Sequence, residues 1–342
     1  MKNKPKISVC IPVFNTEKYL SKCLDSVINQ DFESFEIVIV NDSSKGVDKF
    51  GRRTKKIVRI AEKKCKKIRK EKKLPFVRFV YMEHNKQMGT LETRRTLFNN
   101  SSGDYIIQLD SDDQYVEKTL SILFKYTDKF EIVHGSHLCV SFDENGNFTE
   151  DIKNKNKNLL VWNGELFEHD VFHKYFYEGK ITCILWSKLI KRDLYEKAFE
   201  QIPFSNISFN GDMLLYFFIS LFAKSYIGLS DIVYLYGTNS GVTSSNTIYT
   251  IEDWERKCAV SGVINIINDY VKHNPFKLNK KEVKSINNYI YTFVHDLLLD
   301  LNFIVTENIR KEAYEVLCNY WGKDIVLNIS KGLNLPNLRN IS

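Results

Sequence analysis

The sequence predicts an α/β protein: a mixed, mostly parallel sheet flanked by helices, with a helical extension at its C-terminus. Three observations support this. Residues 6–13 (KISVCIPV) and 35–40 (FEIVIV) are apolar almost throughout, and strands without a polar face belong to sheets buried on both sides. Between them Tyr19, Leu20, Cys23, Leu24, Val27 and Ile28 recur at helical spacing. The chain therefore opens as strand, helix, strand, which implies a right-handed crossover and a parallel pair. From residue 250 onward the apolar pattern is helical only.

The 342 residues suffice for one large or two modest domains. Gly (15) and Pro (6) are scarce, which argues against long flexible linkers. Lys and Arg number 49 against 42 Asp and Glu, a net +7. That excess suits an anionic partner such as a nucleotide, an acidic glycan or an anionic membrane face. No base-stacking platform accompanies the charge, so no nucleic-acid partner is expected. The cysteines are Cys10, Cys23, Cys65, Cys139, Cys183, Cys258 and Cys318, odd in number and without a C-x-x-C pair. This speaks against a disulfide framework or a zinc site and fits a reducing compartment. The N-terminus passes from polar residues straight into a strand, with no signal-peptide pattern. The most apolar run, 213–223, is about half of the ~20 residues a membrane span needs. A cytoplasmic protein is expected, with a peripheral contact at the inner face of the plasma membrane as a further expectation.

Along the chain, Asn15-Thr16-Glu17 opens the first helix, with Thr16 as its N-cap. Residues 47–73 form a long basic helix or helix pair with an apolar stripe of Ile57, Ile60, Ala61, Cys65 and Ile68. It is either a solvated cover for the sheet or a surface for an anionic membrane. A strand at 76–82 precedes a helix running from Gly89 through Arg94 and Arg95 to Phe98, and Ser102-Gly103-Asp104 turns into a strand at 105–109. A helix at 116–126, strands at 131–133 and 137–142, and a hairpin turn at 143–146 follow. Residues 153–158 (KNKNKN) are a low-complexity loop. His169 and His173 lie four apart without a third ligand, which suits surface helix positions better than zinc. Residues 181–189 (ITCILWSKL) are core or pocket wall. Asn210-Gly211-Asp212 leads into the apolar helix 213–223. Asp212 is there either as a cap or as a base facing a cleft. Three amphipathic helices are expected near 252–272, 281–304 and 307–321, with cap-like pairs Thr250/Asp253 and Asn279/Glu282. A loose tail covers 332–342.

The sharpest chemical signal is Asp110-Ser111-Asp112-Asp113, directly after the apolar strand. Carboxylates clustered against a buried strand call for a cation. A divalent metal shared with a ligand's phosphates is one answer, and an acidic turn capping the next helix is the other. Ligands of such sheets lie beyond the carboxyl ends of the strands, where Asn15, Asp42 and the acidic turn all fall.

Taken in order, these stretches resemble the family 2 glycosyltransferases of the GT-A fold, an inverting group that uses nucleotide sugars. The resemblance covers about residues 5–245. Residues 11–15 (IPVFN), 25–30 (DSVINQ), 35–40 (FEIVIV), 102–106 (SGDYI) and the Asp-Ser-Asp-Asp turn match in order. It implies a GT-A, Rossmann-like catalytic domain over 1–248, with a nucleotide-sugar half at about 1–115 and an acceptor half at about 116–248. An α-helical region at 249–342 follows. It implies that Pro12, Val13, Phe14 and Asn15 hold the nucleotide base and that Asp42 reads it, usually as uracil. Arg94, Asp110 and Ser111 join the nucleotide site. Asp112 binds Mn2+ or Mg2+, supported by Asp110. Asp113, Trp186 and Lys188 lie toward the sugar and acceptor. Asp212 is the catalytic base.

Three departures from the family pattern stand out. Asn41 replaces the first acid of the usual pair, Gly211 replaces the usual Glu before the base, and the run after Tyr236 carries no His. The expected partners are a nucleotide-sugar donor, UDP-linked by resemblance, and a glycan or glycolipid acceptor of a lipooligosaccharide or capsule. A homodimer contact through the C-terminal helices is a further expectation. The alternative is a nucleotide-sugar-binding or scaffold protein without catalysis.

Overall fold

The computed structural model describes residues 4–143, 147–151, 160–205, 207, 209–238, 247–275 and 277–338. They divide into two compact units, one of residues 1–203 and 215–243, the other of 204–214 and 244–342.

In the first unit the opening apolar run is β1 (Ile7–Val13), and α1 (Glu17–Ile28) and β2 (Phe35–Asn41) follow. Next come α2 (Thr54–Glu71), β3 (Arg78–Glu83), α3 (Thr90–Asn100), β4 (Tyr105–Gln108), β5 (Gln114–Tyr115) and α4 (Thr119–Phe124). Then come β6 (Ile132–Phe142), β7 (Phe148–Asp151), β8 (Gly164–Phe167), α5 (His169–Phe176), β9 (Lys188–Lys191), α6 (Arg192–Gln201), α7 (Gly211–Phe222), whose first four residues belong to the second unit, and β10 (Ser225–Gly237). The described strands form one mixed sheet in the order β3-β2-β1-β4-β9-β6-β10-β5, with β7 on β6 and β8 on β10. β3, β2, β1 and β4 pair parallel, as the two-sided burial of β1 and β2 requires. β9 pairs antiparallel with both β4 and β6. The mixed, mostly parallel expectation holds.

Burial explains the arrangement. Ile7, Val9, Ile11 and Val13 of β1 share a core with Leu20, Leu24, Val27 and Ile28 of α1 and with Ile57, Val58, Ala61 and Cys65 of α2. Burying a side chain of that size stabilises the fold by roughly 1.5–3 kcal/mol. The end of α2 is fixed by Arg69, whose guanidinium donates to Pro75 O (2.8 Å), Phe32 O (3.0 Å) and Glu33 O (2.9 Å). That satisfies a buried cation with three carbonyls.

Several elements differ from the sequence reading. Residues 47–53 are not helical; α2 begins at Thr54. The two strands expected at 131–142 are one, because β6 runs unbroken alongside β10, which absorbs the irregularity at its exposed Ser230, Asp231 and Ile232. The helix expected at 116–126 is shorter, 119–124, and follows Gln114 and Tyr115, which pair with β10. Residues 153–158 lie outside the described residues, and the turn at 143–146 is described only at Asp143, whose N–H donates to Asn147 O as β6 and β7 pair. Thr16 makes no capping hydrogen bond to α1.

The second unit holds α8 (Ile251–Cys258), α9 (Ser261–His273), α10 (Lys280–Phe303), α11 (Glu307–Trp321) and α12 (Lys323–Ser330). The helix expected at 252–272 is two, separated at Ala259 and Val260. Both cap pairs are present: Thr250 Oγ1 accepts from Asp253 N, and Asn279 with Glu282 forms a reciprocal capping box. Trp254 is fully buried and donates its indole N–H to Ala313 O at 2.7 Å. The tail is not loose through 338. Leu335 and Leu338 are buried, and the Asn337 side chain donates to Asn302 O.

Candidate active site

The parallel register places Val13 beside Asn41 and Cys10 beside Gln108. The loops that leave β1, β2 and β4 therefore emerge at one edge. They carry Asn15, Asp42 and the acidic turn.

Two of these loops are joined by a buried carboxylate. Asn15 and Ser43 adopt the left-handed conformation (φ 56° and 59°), which side chains of this size tolerate at some cost. Ser44 Oγ accepts from Asn15 N (2.9 Å) and donates to Glu17 Oε1 (2.5 Å), and Thr54 Oγ1 donates to the same oxygen (2.6 Å). Glu17 is 1% exposed, and its Oε2 has no hydrogen-bond partner among the described residues. A Cβ on residue 46 would sit 2.0 Å from that oxygen, so Gly46 is the residue that lets loop and carboxylate approach.

Asp42 is buried and held from within. It accepts from His84 Nδ1 (2.7 Å), Met88 N (2.8 Å) and Gly89 N (3.0 Å). It thereby fixes the segment between β3 and α3. Arg94 projects from α3 with its guanidinium 3.8 Å from Asp110 Oδ1, although its side chain is only 6% exposed.

The acidic turn is anchored by β10. Tyr234 Oη accepts from Asp110 N (3.1 Å) and donates to Asp113 Oδ2 (2.7 Å), while Gly237 N donates to Asp113 Oδ1 (2.7 Å). Ser111 Oγ shares a hydrogen bond with Thr16 Oγ1 at 2.6 Å, which ties the turn to the start of α1. Asp113 is 2% exposed. Burial, and then the charges of Asp112 and Asp110, push its carboxyl well above the usual range, against the pull of Gly237 N and Tyr234 Oη. Asp110 and Asp112 are half-buried at the edge. The sequence reading put Asp113 toward the sugar; its oxygens are instead occupied inside the fold.

Trp186 and Lys188 also lie inside. Trp186 stacks on Tyr234 (centroids 4.4 Å apart) and Tyr236 (5.4 Å) and is 3% exposed. Lys188 is fully buried, donates to Ile184 O and sits over the Tyr216 ring. Both support the sheet behind the edge, which fits the core alternative for residues 181–189; the resemblance had placed them toward sugar and acceptor. Asp212 is half-buried in the first turn of α7 and belongs to the second unit.

Among the described residues no group of three or more His, Cys, Asp or Glu is arranged to hold a metal ion. The edge offers two hard oxygen ligands, Asp110 and Asp112. That set fits Mg2+ or Mn2+, which take one or two protein carboxylates and fill their shell with water and phosphate oxygens.

Sequence reasoning passed over Glu17, Gly46, His84, Tyr234 and Gly237. Glu17 had a signal, because it falls in phase with Leu20, Leu24 and Val27 on the buried stripe of α1. Tyr234 had none, since its partner Asp113 is 121 residues away.

Residues 8–199 match the family described as Glycosyl transferase family 2. The chain is 29% identical to the glycosyltransferase GlyA of Streptococcus pneumoniae over 250 residues, 73% of this chain and 32% of that protein. It is 27% identical to the GalNAc(5)-diNAcBac-PP-undecaprenol beta-1,3-glucosyltransferase of Campylobacter jejuni, over 57% of this chain and 62% of that one. It therefore spans less than two thirds of either relative. Among solved structures it resembles S. aureus TarS 1-349 in complex with UDP-GlcNAc (TM-score 0.54, 19% identity, 96% of this chain and 92% of that one). It also resembles the mannosyltransferase PcManGT of Pyrobaculum calidifontis in complex with GDP-Man and Mn2+ (TM-score 0.51, 14% identity, 98% and 78%). These structures share its GT-A type fold. The family match covers more than half of the chain, from β1 through most of α6, and this protein belongs to glycosyl transferase family 2.

Proposed function

We propose that this protein is an inverting glycosyltransferase that moves a sugar from a nucleotide donor, assigned as UDP-linked, to a hydroxyl of a surface glycan such as lipooligosaccharide or capsule. The observation that carries the proposal is the acidic turn, anchored by Tyr234 and Gly237 so that Asp110 and Asp112 stand at the edge where the β1 and β2 loops emerge. In this reading Pro12, Val13, Phe14 and Asn15 flank the base. Asp42, with three internal donors already on its carboxylate, keeps one acceptor direction for the base N–H. Arg94 and Ser111 hold the turn from either side. Asp113 is a positioning residue, in place of the sugar contact expected for it.

Asp110 and Asp112 would hold Mg2+ or Mn2+, which when bound offsets the charge of the departing diphosphate. Asp212, assigned by the family motif, accepts the proton of the acceptor hydroxyl as its oxygen attacks the anomeric carbon. One displacement inverts the configuration, so no enzyme nucleophile is required.

The test is a panel of nucleotide sugars with Mn2+, read as donor hydrolysis and transfer. General-base catalysis typically contributes 10²–10⁴-fold, so Asp212→Asn is expected to lower kcat on the order of a hundredfold or more with donor KM nearly unchanged. Asp112→Asn should remove the dependence on added metal together with the activity. Full turnover in folded Asp212→Asn removes the base assignment. UDP binding without turnover on any acceptor points to the non-catalytic alternative.

A further inference from the structure

Residues 53–73 carry twelve Lys and Arg against Glu62 and Glu71, while the whole chain carries a net +7. One helix and its flanks therefore hold more than the entire positive excess, and the remainder of the chain is net acidic. The fold separates these charges by role. Ile57, Val58, Ala61 and Cys65 turn inward, and Arg69 is consumed by three carbonyls. The outer face is left with exposed Lys55, Lys56, Arg59, Lys63, Lys70 and Lys73, none of which makes an ion pair among the described residues. The ion pairs that do form on α2 involve Lys64, Lys66 and Lys67. Uncompensated like charges along an 18-residue helix, about 27 Å long, repel one another and oppose folding. Two aromatic side chains flank the helix in sequence, Phe50 at 66% and Phe76 at 73% exposure.

We infer that the outer face of α2 docks on an anionic lipid bilayer. The apolar face of α2 is already in the core apart from Ile60, which is 39% exposed, so the helix adsorbs through its cations and does not sink in by its apolar stripe. A convex rod of cations meets a plane of mobile anionic headgroups along its whole length. A polyanionic strand would favour a groove or a stacking surface. Exposed Phe side chains suit the boundary between headgroups and acyl chains. None of the residues assigned to sugar transfer takes part, so the two readings stand or fall separately.

Flotation of the full chain with vesicles tests this. Phosphatidylcholine vesicles are compared with vesicles containing about 30 mol% phosphatidylglycerol, at ~50 mM and ~500 mM salt. Binding is expected only with phosphatidylglycerol and only at low salt. Each Lys or Arg near such a surface strengthens binding about fivefold. Lys55→Gln, Arg59→Gln, Lys63→Gln and Lys70→Gln combined should therefore weaken it on the order of a hundredfold or more. The matched change of Lys277, Lys280, Lys281 and Lys284 to Gln, exposed in or beside α10, removes the same charge and should weaken it far less. Circular dichroism confirms that both variants fold. Equal loss in the two variants, binding indifferent to phosphatidylglycerol or salt, or displacement by heparin at lower charge concentration than by phosphatidylglycerol vesicles would each overturn the inference.

Discussion

Glu17 shows how one side chain organises the edge where the β1 and β2 loops emerge. Its Oε1 accepts from Ser44 and Thr54, so it binds the loop after β2 and the start of α2 to the start of α1. Removing a buried acceptor leaves its donors unsatisfied, at a cost of about 1–3 kcal/mol. Glu17→Ala should lower stability by about that amount in chemical denaturation and raise the donor KM several-fold, with kcat little changed. Glu17→Gln keeps an acceptor oxygen for the two hydroxyls and should recover most of both. If Glu17→Ala matched the parent in stability and donor KM, the loop would be held by other contacts.

At the scale of elements, the buried interior of β6, β9 and β10 contains ionisable groups that the transfer chemistry does not use. His134 of β6 is fully buried, shares a hydrogen bond with Tyr226 Oη of β10 (2.9 Å), and lies within the field of Lys188 of β9. Burial, then Lys188 and His137, hold its pKa well below the ordinary value. The imidazole is neutral in the fold, while in the unfolded chain it gains a proton below about pH 6.5. The unfolded state then binds more protons, so stability is full above that pH and is lost as pH falls toward the folded pKa. The slope from one such group is at most about 1.4 kcal/mol per pH unit. His137 is shifted the same way by burial and Lys188. Thermal unfolding followed from pH 7.5 to 5 should show this fall, and His134→Asn should shrink it without abolishing it. An unchanged profile in the variant would mean that other groups carry the acid sensitivity.

The elements also show what was legible from residues alone. β1, α1 and β2 were, because apolar runs and helical spacing are local and each run is long. The end of β4 and its acidic turn were legible for the same reason. β10 was not: its run Ser225–Gly237 is broken by three exposed residues where it shifts register against β6. For Trp186 and Lys188 the residues left core and pocket wall open, because the partners that decide it, Tyr216, Tyr234 and Tyr236, come from distant parts of the chain. A motif indicated that those residues matter, but it did not tell a pocket wall from a foundation.

At the scale of the whole molecule, charge is distributed unevenly, with residues 53–73 strongly basic and the remainder net acidic. No helix of the described residues is long and apolar enough to cross a membrane. A lipid contact made through the cations of α2 is reversible and salt-sensitive. The single hydroxyl of Tyr234 bears on the molecule's dynamics. Its oxygen receives the Asp110 amide and its proton goes to Asp113, so the acidic turn cannot open while β10 stays paired. In hydrogen–deuterium exchange the Asp110 amide should behave as an interior sheet amide, protected to nearly the level of global unfolding, although its own side chain is half-exposed. Tyr234→Phe should speed exchange at Asp110 while leaving β1 and β2 slow. The acidic turn would then keep a pre-set shape between turnovers and would not need to be re-formed by each incoming ligand.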